Sequence, residues 1–221
     1  MANISILSPF PAFIPAFIGI LCLSLCKPAG AMTFPPGLFG YQAVEQPDTE
    51  TFSQWIQVLE RHLRIDIAEG DCHESVLNLC HMREWLAVLE RLRDRPRAEQ
   101  LDAVNRYANS KTYVLDIDNY GVEDYWAVPR EFLYNNGDCE DYAITKFFSL
   151  RWLGYATEDL RIVVLQDTNL RVPHAVQAVA GQDDVMILDN QIQEVVPQRD
   201  IVHYAPVYAI NEGHWWLYLP H

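Results

Sequence analysis

The chain has 221 residues, half of them hydrophobic, and a formal charge of −14 from 30 acids against 16 Lys and Arg. That length holds one domain with a substantial core and at most a small second one. The acidic balance excludes nucleic acid as a partner, because phosphate binding needs a basic face, and it is compatible with a cationic ligand such as a divalent metal.

The first predicted element is a leader. Phe10 to Cys26 is almost continuously apolar and uncharged, followed by Lys27, Pro28 and Ala29-Gly30-Ala31. Small residues at Ala29 and Ala31 fit the A-x-A pattern of signal-peptidase sites, so residues 1–31 are expected to be a signal peptide cleaved after Ala31. The leader lacks an N-terminal Lys or Arg, and Pro11 and Pro15 interrupt it. A retained anchor is the rival reading, but the run is short of the roughly 20 apolar residues of a spanning helix. Cys22 and Cys26 each follow a leucine, which argues against a lipoprotein. Cleavage leaves Cys72, Cys80 and Cys139, an odd number for an exported chain. Cys72 and Cys80 can bridge across a bend, but one straight helix would hold them too far apart. Either way Cys139 is the unpaired one.

Met32 to Asp48 carries Pro35, Pro36, Gly37 and Gly40 and reads as an extended lead-in. From Thr51, Phe52, Trp55, Ile56, Leu59 and Leu63 recur at steps of three and four, the apolar face of a helix. A second helix is predicted from about Glu74 to Arg93 on Leu77, Trp85, Leu86, Leu89 and Leu92, ended by Pro96. A third runs from about Ala98 to Ser110. From Lys111 to Tyr134 the helical period is lost in an acidic, aromatic stretch. A helix is predicted again through Gly154. Strands follow at 161–166, 174–180 and 184–189, with two more in APVYAINE and HWWLYLP. Helices first and an antiparallel sheet afterwards make an α+β fold. The expected division is a helical part at 32–110 and a core at 111–221, forming one compact unit.

The chemistry centres on NNGDCEDYAITKFFSLRWLG, Asn135 to Gly154. Asp138 is a good N-cap, which places Cys139 in the first turn of a helix closed by Gly154. Unpaired N–H groups and partial positive charge there lower a thiol pKa and can accept charge developing on a carbonyl oxygen. Asp138, Glu140 and Asp141 act the other way unless a cation neutralises them, and carboxylates are the ligands calcium prefers. A cysteine nucleophile needs an oriented base. His174 opens one predicted strand and Asp189 ends the next, so a hairpin brings them to one sheet edge. His203 and His214 lack so well placed an acid, and Asn190 is the alternative orienter. DIDNYGVEDYW offers Asp116, Asp118, Asn119, Glu123 and Asp124 as further ligands, with Asp118 the first choice. An EF-hand loop is rejected, because Tyr120 and Ala127 stand where a ligand and a Glu are required.

Cysteine at a helix start, then histidine and aspartate on successive strands, is the order of the papain-related, transglutaminase-like fold. DYWAVPREFL, NNGDCEDYAITKFFSLRWLG, VPHAVQAV and ILDNQ together resemble the bacterial transglutaminase-like cysteine proteinases over roughly Asn105 to Gln191. Those proteins usually carry two or three glycines before D-C-E-D-Y-A; here Asn135, Asn136 and Gly137 stand there and the core motif is whole. The resemblance implies a calcium-dependent periplasmic endopeptidase. Its implied substrate is a large surface adhesin cut near its N-terminus at a pair of alanines, which releases cells from a biofilm. Its implied regulator is an inner-membrane cyclic-di-GMP receptor that sequesters the protease. Cys139 is then the nucleophile, His174 the base, Asp189 its orienter, and Asp138 and Glu140 calcium ligands. Acyl transfer to an amine, cell-wall amide hydrolysis and a non-catalytic calcium-binding module are the competing readings. A monomer is expected. Trp85, Trp126, Trp152, Trp215 and Trp216 are candidates for a receptor surface if exposed.

Overall fold

The computed structural model describes residues 32, 34–46, 49–64 and 68–220; the expected signal peptide lies outside them. Residues from Met32 onward form one compact unit. Among the described residues no helix is long and apolar enough to cross a membrane.

The elements follow the sequence periods with two departures. Strands β1 (Gly37–Leu38) and β2 (Tyr41–Gln46) come from the lead-in. Helices α1 (Ser53–His62), α2 (Cys80–Leu92) and α3 (Arg97–Asn109) follow. α2 starts six residues later than its apolar pattern suggests. Cys72 and Cys80 are joined in a disulfide with Cα atoms 5.2 Å apart. That closure holds 72–79 as turns, and the Asn78 side chain accepts the Cys80 N–H at 2.9 Å. The stretch without period holds a one-turn helix α4 (Asp116–Asn119) and a second helix α5 (Pro129–Asn135). α5 has local signals: Pro129 at its first position, and Glu131, whose carboxylate accepts the Val128 N–H at 3.1 Å.

Helix α6 (Cys139–Trp152) is the central element, buried without interruption from Asp141 to Leu150. A helix buried on every side must be surrounded. α6 packs on α3, α5 and the strands β3 (Leu160–Asp167) and β4 (Val172–Ala180). Trp55 of α1 meets Phe147 edge to face at 5.5 Å and donates to the Asn211 carbonyl at 2.8 Å; Trp85 of α2 donates to Ser149 Oγ at 2.9 Å. Gly154, at φ +91°, ends the helix.

Strands β5 (Val185–Leu188), β6 (Val196–Pro197), β7 (Tyr204–Ile210) and β8 (Trp215–Pro220) complete one antiparallel sheet of order β1-β2-β8-β7-β3-β4-β5-β6. Alternate residues serve two cores. Leu160, Ile162, Ala175 and Val179 join the helices, whereas Val163, Leu165, Val176 and Ala178 pack with Leu38, Ile201 and Tyr204. The lead-in therefore belongs to the sheet, and the helical part and the core share it.

Register positions the site. β4 and β5 pair with Gln177 opposite Leu188, so Asp189 emerges at the end of the pair where His174 enters. On the other side of β3, Asp167 faces Val172 of β4 and Tyr204 of β7, which brings Tyr204 to the same edge.

Lys146, in the middle of α6, is 1% exposed, and burial lowers its pKa to about 7 against the pull of the Asp189 carboxylate. An unfolded chain protonates this lysine up to its ordinary value, so the desolvation penalty is complete below about pH 7 and fades as pH rises toward the unfolded value. Lys146→Met is expected to raise unfolding free energy by a few kcal/mol at pH 6, with the gain shrinking steadily to pH 10, in urea titrations across that range.

Candidate active site and cation site

The site grows from the first turn of α6. Asp141, fully buried, is its internal cap. One carboxylate oxygen accepts the Ala127 N–H at 2.6 Å, and the other accepts the Asp138 N–H at 3.3 Å. This ties the loop before α5 to the start of α6. Gly137 is forced by that cap, since a Cβ there would run into the Asp141 carboxylate. Asn136 before it holds φ +65° and accepts the Thr112 N–H at 3.1 Å. Position 136 is therefore one of positive φ, filled here by asparagine.

Among the described residues Cys139 is the free thiol, and it is partly buried. It donates to Glu140 Oε2 at 3.2 Å. Burial, the Glu140 and Asp138 charges and that hydrogen bond push its pKa well above the ordinary thiol value. The Ala175 backbone N–H opposes them. Ala175 follows His174 in the chain, so this contact sets the sulfur against the start of β4.

His174 and Asp189 meet at that edge. His174 Nε2 lies 2.9 Å from Asp189 Oδ1, and both side chains are buried. The carboxylate also accepts the Gln191 N–H at 2.8 Å and the Tyr204 hydroxyl at 2.6 Å. Burial alone would raise the Asp189 pKa; the hydrogen bonds from His174, Tyr204 and Gln191 outweigh it and hold the group below the usual carboxylate value. An ionised Asp189 fixes the His174 tautomer with the proton on Nε2, leaving Nδ1 as the basic nitrogen. Neither His203 nor His214 joins the pair: His203 packs its ring on Tyr204, and His214 lies 3.8 Å from Glu45.

A second constellation abuts the thiol. Carboxylate oxygens of Asp116, Asp124 and Glu140 lie within 4.8 Å of one another, as do those of Asp116, Asp138 and Asp141. Asp118, the expected contributor from the upstream loop, is exposed and outside these groups. Two residues along a helix turn the chain through about 200°, so α4 directs Asp116 inward and Asp118 away. Asp116 is 1% exposed; its Oδ2 accepts the Tyr125 N–H at 2.5 Å. Burial and the Asp138 and Asp124 charges raise its pKa to about 6. Burial, a hydrogen bond shared with Asp138 and the charges of Asp138 and Asp141 raise Glu140 to about 10. Asp138 is raised as well, chiefly by burial. Asp116 Oδ1 and Asp138 Oδ1 are buried without a hydrogen-bond partner among the described residues. Clustered, desolvated carboxylates with unsatisfied inward oxygens are the donor set of a hard divalent cation. Asp116, Asp138 and Glu140, with Asp124 at the rim, fit one; Asp141 is committed to two N–H groups.

Trp85, Trp126 and Trp216 are buried, which removes them as surface candidates. Sequence reading missed Tyr204, for which no local pattern signals a role. It named Asp116 and Asp124 among several acids without choosing them; the inward side of a one-turn helix has too little period to read.

The family model of bacterial transglutaminase-like cysteine proteinases matches residues 72–217. No curated protein matches the chain. Solved structures of Legionella pneumophila LapG are similar at 26% identity and a TM-score of 0.59. The calcium-bound form is matched over 75% of this chain and 86% of that one, and the EGTA-treated form over 78% and 87%.

Gly137→Ala is expected to destabilise the fold by about 1–3 kcal/mol through overpacking and displacement of the Asp141 cap. Asn136→Gly should stay within about 1 kcal/mol of the parent, because relief at positive φ offsets the lost Thr112 hydrogen bond. Chemical denaturation of both variants checks the pair.

Proposed function

The chain belongs to the bacterial transglutaminase-like cysteine proteinase family, which makes it a cysteine peptidase, and from that premise we propose a calcium-dependent endopeptidase with Cys139 as nucleophile, His174 as base and Asp189 as its orienter. The observation that carries the reading is the buried 2.9 Å His174–Asp189 pair beside a thiol at the start of α6. His174 Nδ1 takes the thiol proton. The Cys139 sulfur bonds to the scissile carbonyl carbon while backbone N–H groups of the first turn of α6 receive the oxyanion. The imidazolium returns the proton to the leaving amine, and water then hydrolyses the thioester.

The acids explain the proposed dependence on calcium. With Glu140 accepting from the thiol and Asp138 adjacent, the sulfur is held protonated, and the thiolate is the attacking species. Asp116, Asp138 and Glu140 would hold a divalent cation, which would supply positive charge near the sulfur and draw their oxygens away from the thiol. The calcium-bound form of LapG supports the choice of ion.

The proposed substrate is the N-terminal region of a large surface adhesin, cut at a pair of alanines to release cells from a biofilm, with an inner-membrane cyclic-di-GMP receptor sequestering the enzyme. The proposed compartment is the periplasm and the proposed state a monomer. The apolar leader and the Cys72–Cys80 disulfide, which suits an oxidising compartment, support the location.

The test incubates residues 32–221 with the N-terminal region of the largest surface adhesin of the source cell. Cleavage is expected with calcium, and none with a chelator or with Cys139→Ala. Asp116→Asn should raise the calcium concentration for half-maximal cleavage by roughly tenfold or more. Cleavage that persists in chelator would overturn the cation assignment and leave the peptidase standing.

A further inference from the structure

Asp189 has two oxygens, and the second is as closely held as the first. Oδ1 takes His174 Nε2 and the Gln191 N–H; Oδ2 takes the Tyr204 hydroxyl at 2.6 Å. Tyr204 is 4% exposed, and its ring meets the His174 ring edge-on, centroids 5.8 Å apart at 60°. The residue comes from β7, two strands away from His174, held by pairing with Asp167 on β3. Asp167 is itself fixed, accepting the Asn169 and Leu170 N–H groups at the turn into β4. One side chain thus touches both partners of the pair from a third strand.

We propose that Tyr204 is a positioning residue of the active site: its hydroxyl fixes the rotation of the Asp189 carboxylate, and its ring fixes the plane of the His174 imidazole. A carboxylate held at one oxygen only can turn about its Cβ–Cγ bond and lose alignment with Nε2. With Oδ2 bonded from β7 and Oδ1 from Gln191, the orientation that receives Nε2–H is the one in which every buried oxygen is satisfied. The hydroxyl donates and transfers no proton. The His174 ring cannot tilt away without leaving the Tyr204 edge. The proposal rests on the assignment of Cys139, His174 and Asp189 made above.

Tyr204→Phe removes the hydroxyl and keeps the ring. Two readouts need no protein substrate. The first is the low-field proton resonance of His174 Nε2–H, assigned by its loss in His174→Ala. The second is the rate of Cys139 alkylation by iodoacetamide at fixed pH with calcium present. Cleavage kinetics are a third. In Tyr204→Phe the resonance is expected to shift or vanish and alkylation to slow. The value of kcat should fall about 10- to 100-fold, as loss of a hydrogen bond to a charged group implies, with KM unchanged. In an Asp189→Asn background the same change should have little further effect on alkylation, because Tyr204 acts through that carboxylate. An unmoved resonance with only a lower melting temperature would make Tyr204 a packing residue and overturn the proposal, as would full additivity with Asp189→Asn. Failure to find a cleaved protein would count against the substrate reading alone, since the resonance and alkylation are measured without it.

Discussion

Several carboxylates are buried at one end of one helix, and much of the site follows from accommodating them. Asp116, Asp138, Glu140 and Asp141 sit where the start of α6 meets the loop 111–128, and burial raises the pKa of each. A helix N-terminus stabilises negative charge, but its partial positive charge amounts to roughly half an elementary charge, too little for so many acids. Asp141 is accommodated by two backbone N–H groups. The others converge, Asp116 and Asp138 each with a buried oxygen that has no hydrogen-bond partner among the described residues. The thiol placed among them is thereby tied to whatever neutralises its neighbours. In a low-dielectric setting one ion changes the proton affinity of every group around it.

The opposite wall obeys a different constraint. His174 and Asp189 are placed by strand register rather than by a helix end, and a slip of one residue between β4 and β5 would turn one of them to the other face. β4 is buried on both faces from His174 to Ala180, and β3 beside it nearly so, which leaves the register little freedom. The proposed nucleophile comes from α6 and the proposed base from the sheet packed under it. The packing of α6 on β4 is therefore the joint between the two halves of the chemistry, with the Ala175 N–H on the sulfur as its visible contact.

Much of this was legible in the sequence. Gly154 at the C-terminal end, Asp138 before the thiol, and the apolar runs of β3 to β5 are local signals, and local signals survive in the fold. The hairpin that joins His174 to Asp189 needed only the antiparallel pairing of neighbouring strands. What escaped was non-local or too short for a period. Tyr204 acquires its role from β7 lying beside β3. The lead-in becomes strand only because β8, at the far end of the chain, offers an edge. Asp116 rather than Asp118 faces the acids because of one turn of helix, whose direction no pattern of four residues reveals. The late start of α2 came from the Cys72–Cys80 closure overriding a good apolar period.

The sheet order carries a consequence for how this molecule comes into being. β8 pairs on one side with β7 and on the other with β2, in register from Tyr41 opposite Pro220 to Gln46 opposite Trp215. β1 and β2 can pair with each other early in synthesis, but β2 joins the rest of the sheet only once Trp215–Pro220 are available. Contacts so distant in the chain have a high loop-closure cost and form slowly. A nascent chain can hold the helices and the β3–β4–β5 meander, yet it lacks the strand whose Trp216 and Tyr218 join Leu38 in the second core. Closure of the sheet is thus coupled to synthesis of β8, and a chain lacking Trp215–Pro220 leaves β2 and β7 as two open edges.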